Sequence, residues 1–179
     1  MEQTLKAVKD KGTYWRLLGI KYMDYEMWKE ALKAFDEALA IYPDFAGIQY
    51  HRALCASQLA LASPELSGRR EYLAQAEAGY RRALAVDPRN TQSMYALAVL
   101  LVFELERPLE ALPLLEDYLK IERSSIPARF LLARVYLQAG NAQAALDLYE
   151  HIEKNARESG DRDKAAELYR RVMGGNYGS

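Results

Sequence analysis

The sequence predicts an all-α protein made of repeated helix pairs, and three observations carry that prediction. Strand signals are nearly absent, since no run of alternating β-branched residues occurs and the Ala- and Leu-rich segments show helical spacing. The 6 prolines and 10 glycines fall between those segments or at their edges. Small residues also recur at long intervals: Gly19 is followed after 34 residues by Ala53, after 45 more by Ala98 and after 35 more by Ala133. Such self-similarity marks arrays in which a single helix pair cannot cover its own apolar face and must stack on the next.

The first unit is the clearest. In a 34-residue window opening at Gly12, Trp15, Leu18, Gly19 and Tyr22 stand at positions 4, 7, 8 and 11. Ala31, Phe35, Ala38 and Pro43 stand at positions 20, 24, 27 and 32. These residues match the tetratricopeptide signature at all eight of its positions, and the chain resembles that family over about residues 12–173. The resemblance implies a right-handed helical solenoid of four helix pairs with a C-terminal capping helix. The pairs are read as residues 12–45, 46–90 (with an insertion), 91–125 and 126–159, the capping helix as 160–173. Residues 1–11 are read as a short helix at the opposite end and residues 174–179 as a flexible tail.

In the later second helices the signature places are held by Ala76/Tyr80/Ala83, Ala111/Leu115/Tyr118 and Ala145/Tyr149/Ile152. Pro88 closes the second pair as Pro43 closes the first, whereas Arg123 and Arg157 stand there in the third and fourth. Small side chains at positions 8, 20 and 27 belong where helices approach most closely. Large ones (Trp15, Tyr22, Phe35, Tyr80, Tyr136 and Tyr149) fill the space between. Cys55 and most of the tyrosines are therefore expected in the core.

The 45-residue interval adds 11 residues between Leu59 and Gln75. Ser63-Pro64 reads as an N-cap followed by proline at the first helical position, and Ser67-Gly68 as a break. A lengthened helix pair or an added turn accommodates them. The single extra residue of the third unit falls near Glu106-Arg107-Pro108, in its inter-helix turn. After the fourth unit, Ser159-Gly160-Asp161 stops one helix and starts another. There Ala165, Leu168, Tyr169 and Val172 form one apolar stripe, with Arg162, Asp163, Glu167 and Arg170 turned away.

Composition excludes several function classes. The 179 residues carry 24 Lys+Arg against 25 Asp+Glu, which leaves no whole-chain electrostatic footprint for nucleic acid. The doublets Arg69-Arg70, Arg81-Arg82 and Arg170-Arg171, set beside glutamates, read as solvated helix faces. No apolar run is long enough to span a bilayer, and a lone cysteine excludes an intrachain disulfide framework. The N-terminus lacks an apolar signal core, so the default reading is cytoplasmic; a trimmed signal on a secreted or periplasmic form would leave the same sequence.

Catalytic chemistry finds little to use. His51 and Cys55, at i and i+4, share a helix face and could form a thiol–imidazole pair or half a metal site. A metal needs two further ligands that the sequence does not place nearby. No catalytic residue, cofactor or metal is expected.

The family resemblance instead implies a concave groove lined by the first helices, which holds a peptide or helix of a partner protein. Carried over position by position, it comprises Arg16, Ile20, Met23 and Asp24, then Tyr50, His51, Leu54 and Gln58. It continues with Tyr95, Val99, Val102 and Phe103, then Phe130, Arg134, Leu137 and Gln138. Tyr50, Tyr95 and Phe130 form an aromatic ladder, and Val99, Val102 and Phe103 an apolar run of the kind that meets a partner. The clamp by which some family members grip the carboxylate of chaperone tails is not expected, because Arg16, Ile20, His51, Gln92 and Ala96 occupy its places. The rival to a binding scaffold is an assembly module whose apolar surface is buried in a homo-oligomer or an obligate complex.

Overall fold

Helices approach most closely where the facing side chains are small or absent, and this governs the packing of the chain. The structure is a computed structural model describing residues 2–175, and no strand occurs among them. The helices are α1 (Glu2–Asp24), α2 (Trp28–Ile41), α3 (Ala46–Ala62), α4 (Leu66–Val86) and α5 (Thr91–Phe103). A 3-10 turn at Pro108–Glu110 leads into α6 (Ala111–Ile121), followed by α7 (Ile126–Gln138), α8 (Ala142–Asn155) and α9 (Ser159–Met173). Packing divides the chain into residues 1–100 and 101–179.

In the first unit α1 packs on α2, α2 on α3 and α3 on α4. Ala31, Phe35 and Ala38 of α2 form a fully buried cluster with Ile48 and Cys55 of α3, flanked by Trp15, Tyr22 and Trp28. Gly19 makes room for it: a Cβ there would lie 2.7 Å from the Phe35 ring. Between α3 and α4 the exchange is reversed, and a Cβ on Gly79 would lie 2.8 Å from that of Ala53. Arg52 of α3 pairs with Asp36 of α2 at 2.5 Å, half in solvent and worth at most about 1 kcal/mol.

The segment before Gly12 is not a separate helix, because α1 runs unbroken for 23 residues. Nothing between Glu2 and Lys11 breaks a helix. Gly12 is accommodated because the Tyr42 ring lies where its Cβ would be, at 2.5 Å. The Tyr42 hydroxyl then donates to the Lys9 carbonyl at 2.8 Å, tying the extension to the end of α2.

The insertion is spent on length, giving an α3 of 17 residues and an α4 of 21 against 13 and 14 for α7 and α8. Ser63 is not an N-cap. It closes α3 with φ −81° and ψ 120°, and Glu65 precedes the first turn of α4. Pro64 is the cause, since its ring disfavours α-helical geometry in the residue before it. Ser67-Gly68 makes no break either and lies inside α4.

The turns within the first, third and fourth helix pairs share one device. Between α1 and α2, Glu26 is left-handed (φ 56°). Its N–H donates to the Met23 carbonyl at 2.9 Å, and the Met27 N–H donates to the Tyr22 carbonyl at 2.9 Å. This is a Schellman closure. Between α7 and α8 the same places are taken by Gly140 (φ 76°) and Asn141, bonded to Leu137 at 3.0 Å and Tyr136 at 2.8 Å. After α5 the left-handed residue is Glu106 (φ 53°), and Arg107 reaches back to the Leu101 carbonyl at 2.8 Å. That loop is one residue longer, which is where the extra residue of the third repeat goes.

In the second unit α7 packs on α6 and α8, and α8 on α9. Asn141 caps α8 by accepting from the Ala144 N–H at 3.1 Å. Ala133, Ala145, Leu146, Tyr149 and Ile152 are sealed by Ala165 and Val172 of α9, with Leu168 and Tyr169 packed alongside. Arg162, Asp163, Glu167 and Arg170 face outward, exposed. Residues 176–179 of the expected tail lie outside the described residues.

Two outcomes follow from this packing. Ala31→Leu, Ala38→Leu, Ala53→Leu and Ala83→Leu should each destabilise the protein by about 1–3 kcal/mol through overpacking, read from urea denaturation midpoints. Deletion from Gly160 onward should expose Ala145, Tyr149 and Ile152, lowering the thermal midpoint and promoting aggregation seen by light scattering.

Candidate functional site

The first helices present their outward side chains in different states. In the first repeat Arg16, Ile20 and Met23 are half-buried, with Ile20 and Met23 packed on the Phe35 cluster, and Asp24 is exposed. In the second, Leu54 and Gln58 are half-buried, and Tyr50 leans edge-on against His51 at 5.2 Å and obliquely against Tyr80 at 6.0 Å. Burial pushes the Tyr50 hydroxyl above its ordinary pKa. Tyr80 behind it is pushed up to about 12 by burial, while a Ser57 hydroxyl contact at 3.2 Å opposes the rise.

His51 and Cys55 do not form a reactive pair. The His51 ring stacks on Phe35 with centroids 5.6 Å apart, and its Nδ1 lies 2.6 Å from the Gly47 carbonyl, so that nitrogen carries the proton and donates. Cys55 is fully buried, and burial pushes its thiol up to about 12. Such a thiol stays protonated and inert. Among the described residues no group of three His, Cys, Asp or Glu side chains could hold a metal ion.

In the third repeat, Tyr95 and Val99 are half-buried. The expected apolar run is interrupted, because Val102 is only 7 % exposed and belongs to the core, whereas Phe103 is 50 % exposed. The helix phase explains it: adjacent residues are turned about 100° apart, and here the core lies on the side of Val102. In the fourth repeat, Phe130 lies 6.3 Å from Tyr149 and beneath the Lys164 ammonium at 4.9 Å, and Leu137 packs on the α8–α9 core.

A cleft in the second unit gathers four of the expected groove residues. Val102, Phe103, Arg134 and Gln138 line a space of about 400 Å³ together with Glu106 and Pro108. The Arg134 guanidinium lies over the Phe103 ring at 5.0 Å, so an exposed aromatic and an exposed cation are presented as one element. Glu106 and Pro108 had a signal in the sequence, the one-residue insertion at the inter-helix turn, which reads there as connection only.

This architecture, paired antiparallel helices with small residues at the crossings and a cleft on the first-helix side, defines a helical repeat protein. Tetratricopeptide repeat profiles match residues 12–45 and 102–159, together just over half of the sequence. The chain belongs to the tetratricopeptide repeat family. Proteins of this family generally mediate protein–protein interaction.

Among solved structures, the tetratricopeptide repeat protein YrrB, described as having an unusual peptide-binding site, superposes with a TM-score of 0.75 at 19% identity, over 98% of this chain and 84% of its own. The thermophilic tetratricopeptide repeat protein TTC0263 of Thermus thermophilus gives 0.66 at 20% identity, over 96% and 86%. A MamA fragment from Desulfovibrio magneticus RS-1 gives 0.65 at 20% identity, over 92% and 94%. At these identities the likeness is one of fold. No curated protein matches the sequence.

The half-buried imidazole makes stability pH-dependent. His51 has its pKa lowered, first by burial and then by the Arg16 charge, against an opposing effect of the Gly47 bond. The unfolded chain therefore takes up a proton near about pH 6.5 that the folded chain refuses until lower pH. Stability falls as pH drops through that window. Denaturation midpoints at pH 7.5 and pH 5.5 should differ less in His51→Gln than in the parent.

Proposed function

We propose that the chain is a non-enzymatic scaffold that binds a peptide or helix of another protein along its first-helix surface. The observation that carries this reading is the α5–α7 cleft, where Phe103 is half-exposed beneath Arg134. Exposed aromatic and arginine side chains are the residue types that dominate interface energies. The peptide-binding site described for YrrB on the same fold supports the reading by analogy. Within the same unit Phe130 adds a second aromatic ring, and Arg134 orients a carboxylate or carbonyl of the partner.

The test begins with a partner recovered by pull-down and proceeds by calorimetry. Phe103→Ala should weaken binding by about 2 kcal/mol, roughly thirtyfold. Arg134→Ala should cost less, and salt should matter mildly. Far-UV spectra must show each variant folded. If these variants bind like the parent while substitutions in the extended α3–α4 region, from Leu66 to Tyr72, abolish binding, recognition resides in the insertion and the groove reading fails.

A further inference from the structure

Positions 3, 6 and 10 of each repeat lie on one side of its first helix, the side turned toward the preceding pair. On α3 they are Ile48, His51 and Cys55. Ile48 and Cys55 are fully buried in the cluster with Phe35 of α2, and the His51 ring stacks on Phe35. On α7 they are Ala128, Leu131 and Val135, all buried on a helix that packs against α6. This side of a first helix is therefore built to receive another helix. On α1 the same positions hold Tyr14, Leu17 and Lys21, and there Tyr14 is 59 % and Leu17 53 % exposed. Tyr25, one turn further on, is 66 % exposed.

We propose that this open face of α1 is covered by α1 of a second copy, packed antiparallel. Asp10, Tyr14, Leu17 and Lys21 follow one another at intervals of 4, 3 and 4, the spacing of a helix–helix seam. Read antiparallel against itself, the seam is self-complementary in one register. Tyr14 meets the partner copy's Leu17, Leu17 meets the partner copy's Tyr14, and each Lys21 meets the partner copy's Asp10. A parallel arrangement would instead set Lys21 against Lys21 and Asp10 against Asp10. Lys21 is not firmly held within its own chain: its ammonium lies 3.9 Å from Asp24, with both side chains 61% exposed, and 4.9 Å from the Tyr25 ring.

Among the described residues the last helix, α9, differs: it turns Arg162, Asp163, Glu167 and Arg170 outward. Association through α1 alone is isologous and closes at two copies. A seam of one helix is smaller than the roughly 800 Å² per partner of a standard stable interface, so the dimer forms in the micromolar range. The charged pairs set direction and register more than strength.

Sedimentation equilibrium of the full chain, from low micromolar to several hundred micromolar, tests this. The mass should rise to twice the monomer and stop there. Leu17→Asp, an exposed position, should be monomeric throughout with an unchanged far-UV spectrum. Asp10→Lys and Lys21→Glu should each weaken the dimer about tenfold by replacing two attractions with two repulsions, and the double variant D10K/K21E should restore it. A parent monomeric at every concentration, or growth beyond two copies, overturns the proposal. So does a dimer that survives Leu17→Asp. Failure of the double variant to rescue overturns the antiparallel register.

Discussion

The contact between Gly19 and the Phe35 ring is the constraint on which the first unit depends. With no Cβ at position 19, the ring fills the space between α1 and α2, fully buried, and becomes the floor on which Ile48, Cys55 and His51 of α3 settle. Truncating such a ring costs on the order of 3–5 kcal/mol, a large part of a domain's net stability. Between α3 and α4 the missing side chain is moved across, with Gly79 opposite Ala53. What is preserved is the sum of volumes at each crossing rather than the identity of either residue. Helices held this closely fix the direction in which their outer side chains point, and recognition by such a protein is a matter of those directions.

The inter-helix turns translate this packing into register. A left-handed glutamate costs about 1 kcal/mol relative to glycine, offset at Glu26 by two closing hydrogen bonds and by the packing of the helices it joins. Where the loop gains a residue, at Glu106, the closing bond spans one residue more and the chain swings wide before Pro108 restarts it. Glu106 and Pro108 then stand beside Phe103 and Arg134 as walls of a cleft. A single inserted residue thus converts a connection into part of a surface.

The fold was largely legible because small and large residues at the crossings have no alternative role. Ala31, Ala38, Ala53 and Ala83 are all fully buried, and the stripe of Ala165 and Val172 seals the last core as its spacing implies. The misreadings lie where local and tertiary effects compete. Ser63-Pro64 satisfies the grammar of a helix start, yet the restriction proline places on Ser63 ends the helix before it. The N-terminal segment reads as separate only because the signature begins at Gly12; Tyr42, far along the chain, is what binds it into α1. At the candidate site, the residue types were legible and their exposure was not. Val102 and Phe103 are neighbours of similar character, and only helix phase, fixed by packing, sends one inward and the other out.

Burial around two of the candidate rings bears on how each would bind. Tyr50 is braced by His51 and Tyr80, and Phe130 by Tyr149 and Lys164, so neither ring has much rotamer freedom left to lose. An anchor already held in one rotamer spares a partner the ordering cost of about 0.5–1.5 kcal/mol that a loose side chain would impose. Phe103 is held differently, by one guanidinium over an otherwise open ring. Under the proposed reading it is the position where a partner would gain most apolar burial, whereas the braced rings would offer shape at little entropic cost. On α1 the expected groove positions Arg16 and Ile20 and the proposed seam positions Tyr14, Leu17 and Lys21 are centred roughly 110° apart around the helix axis. A protein seated in the groove and a second copy seated on the seam would therefore use different sides of the same helix, and neither need displace the other.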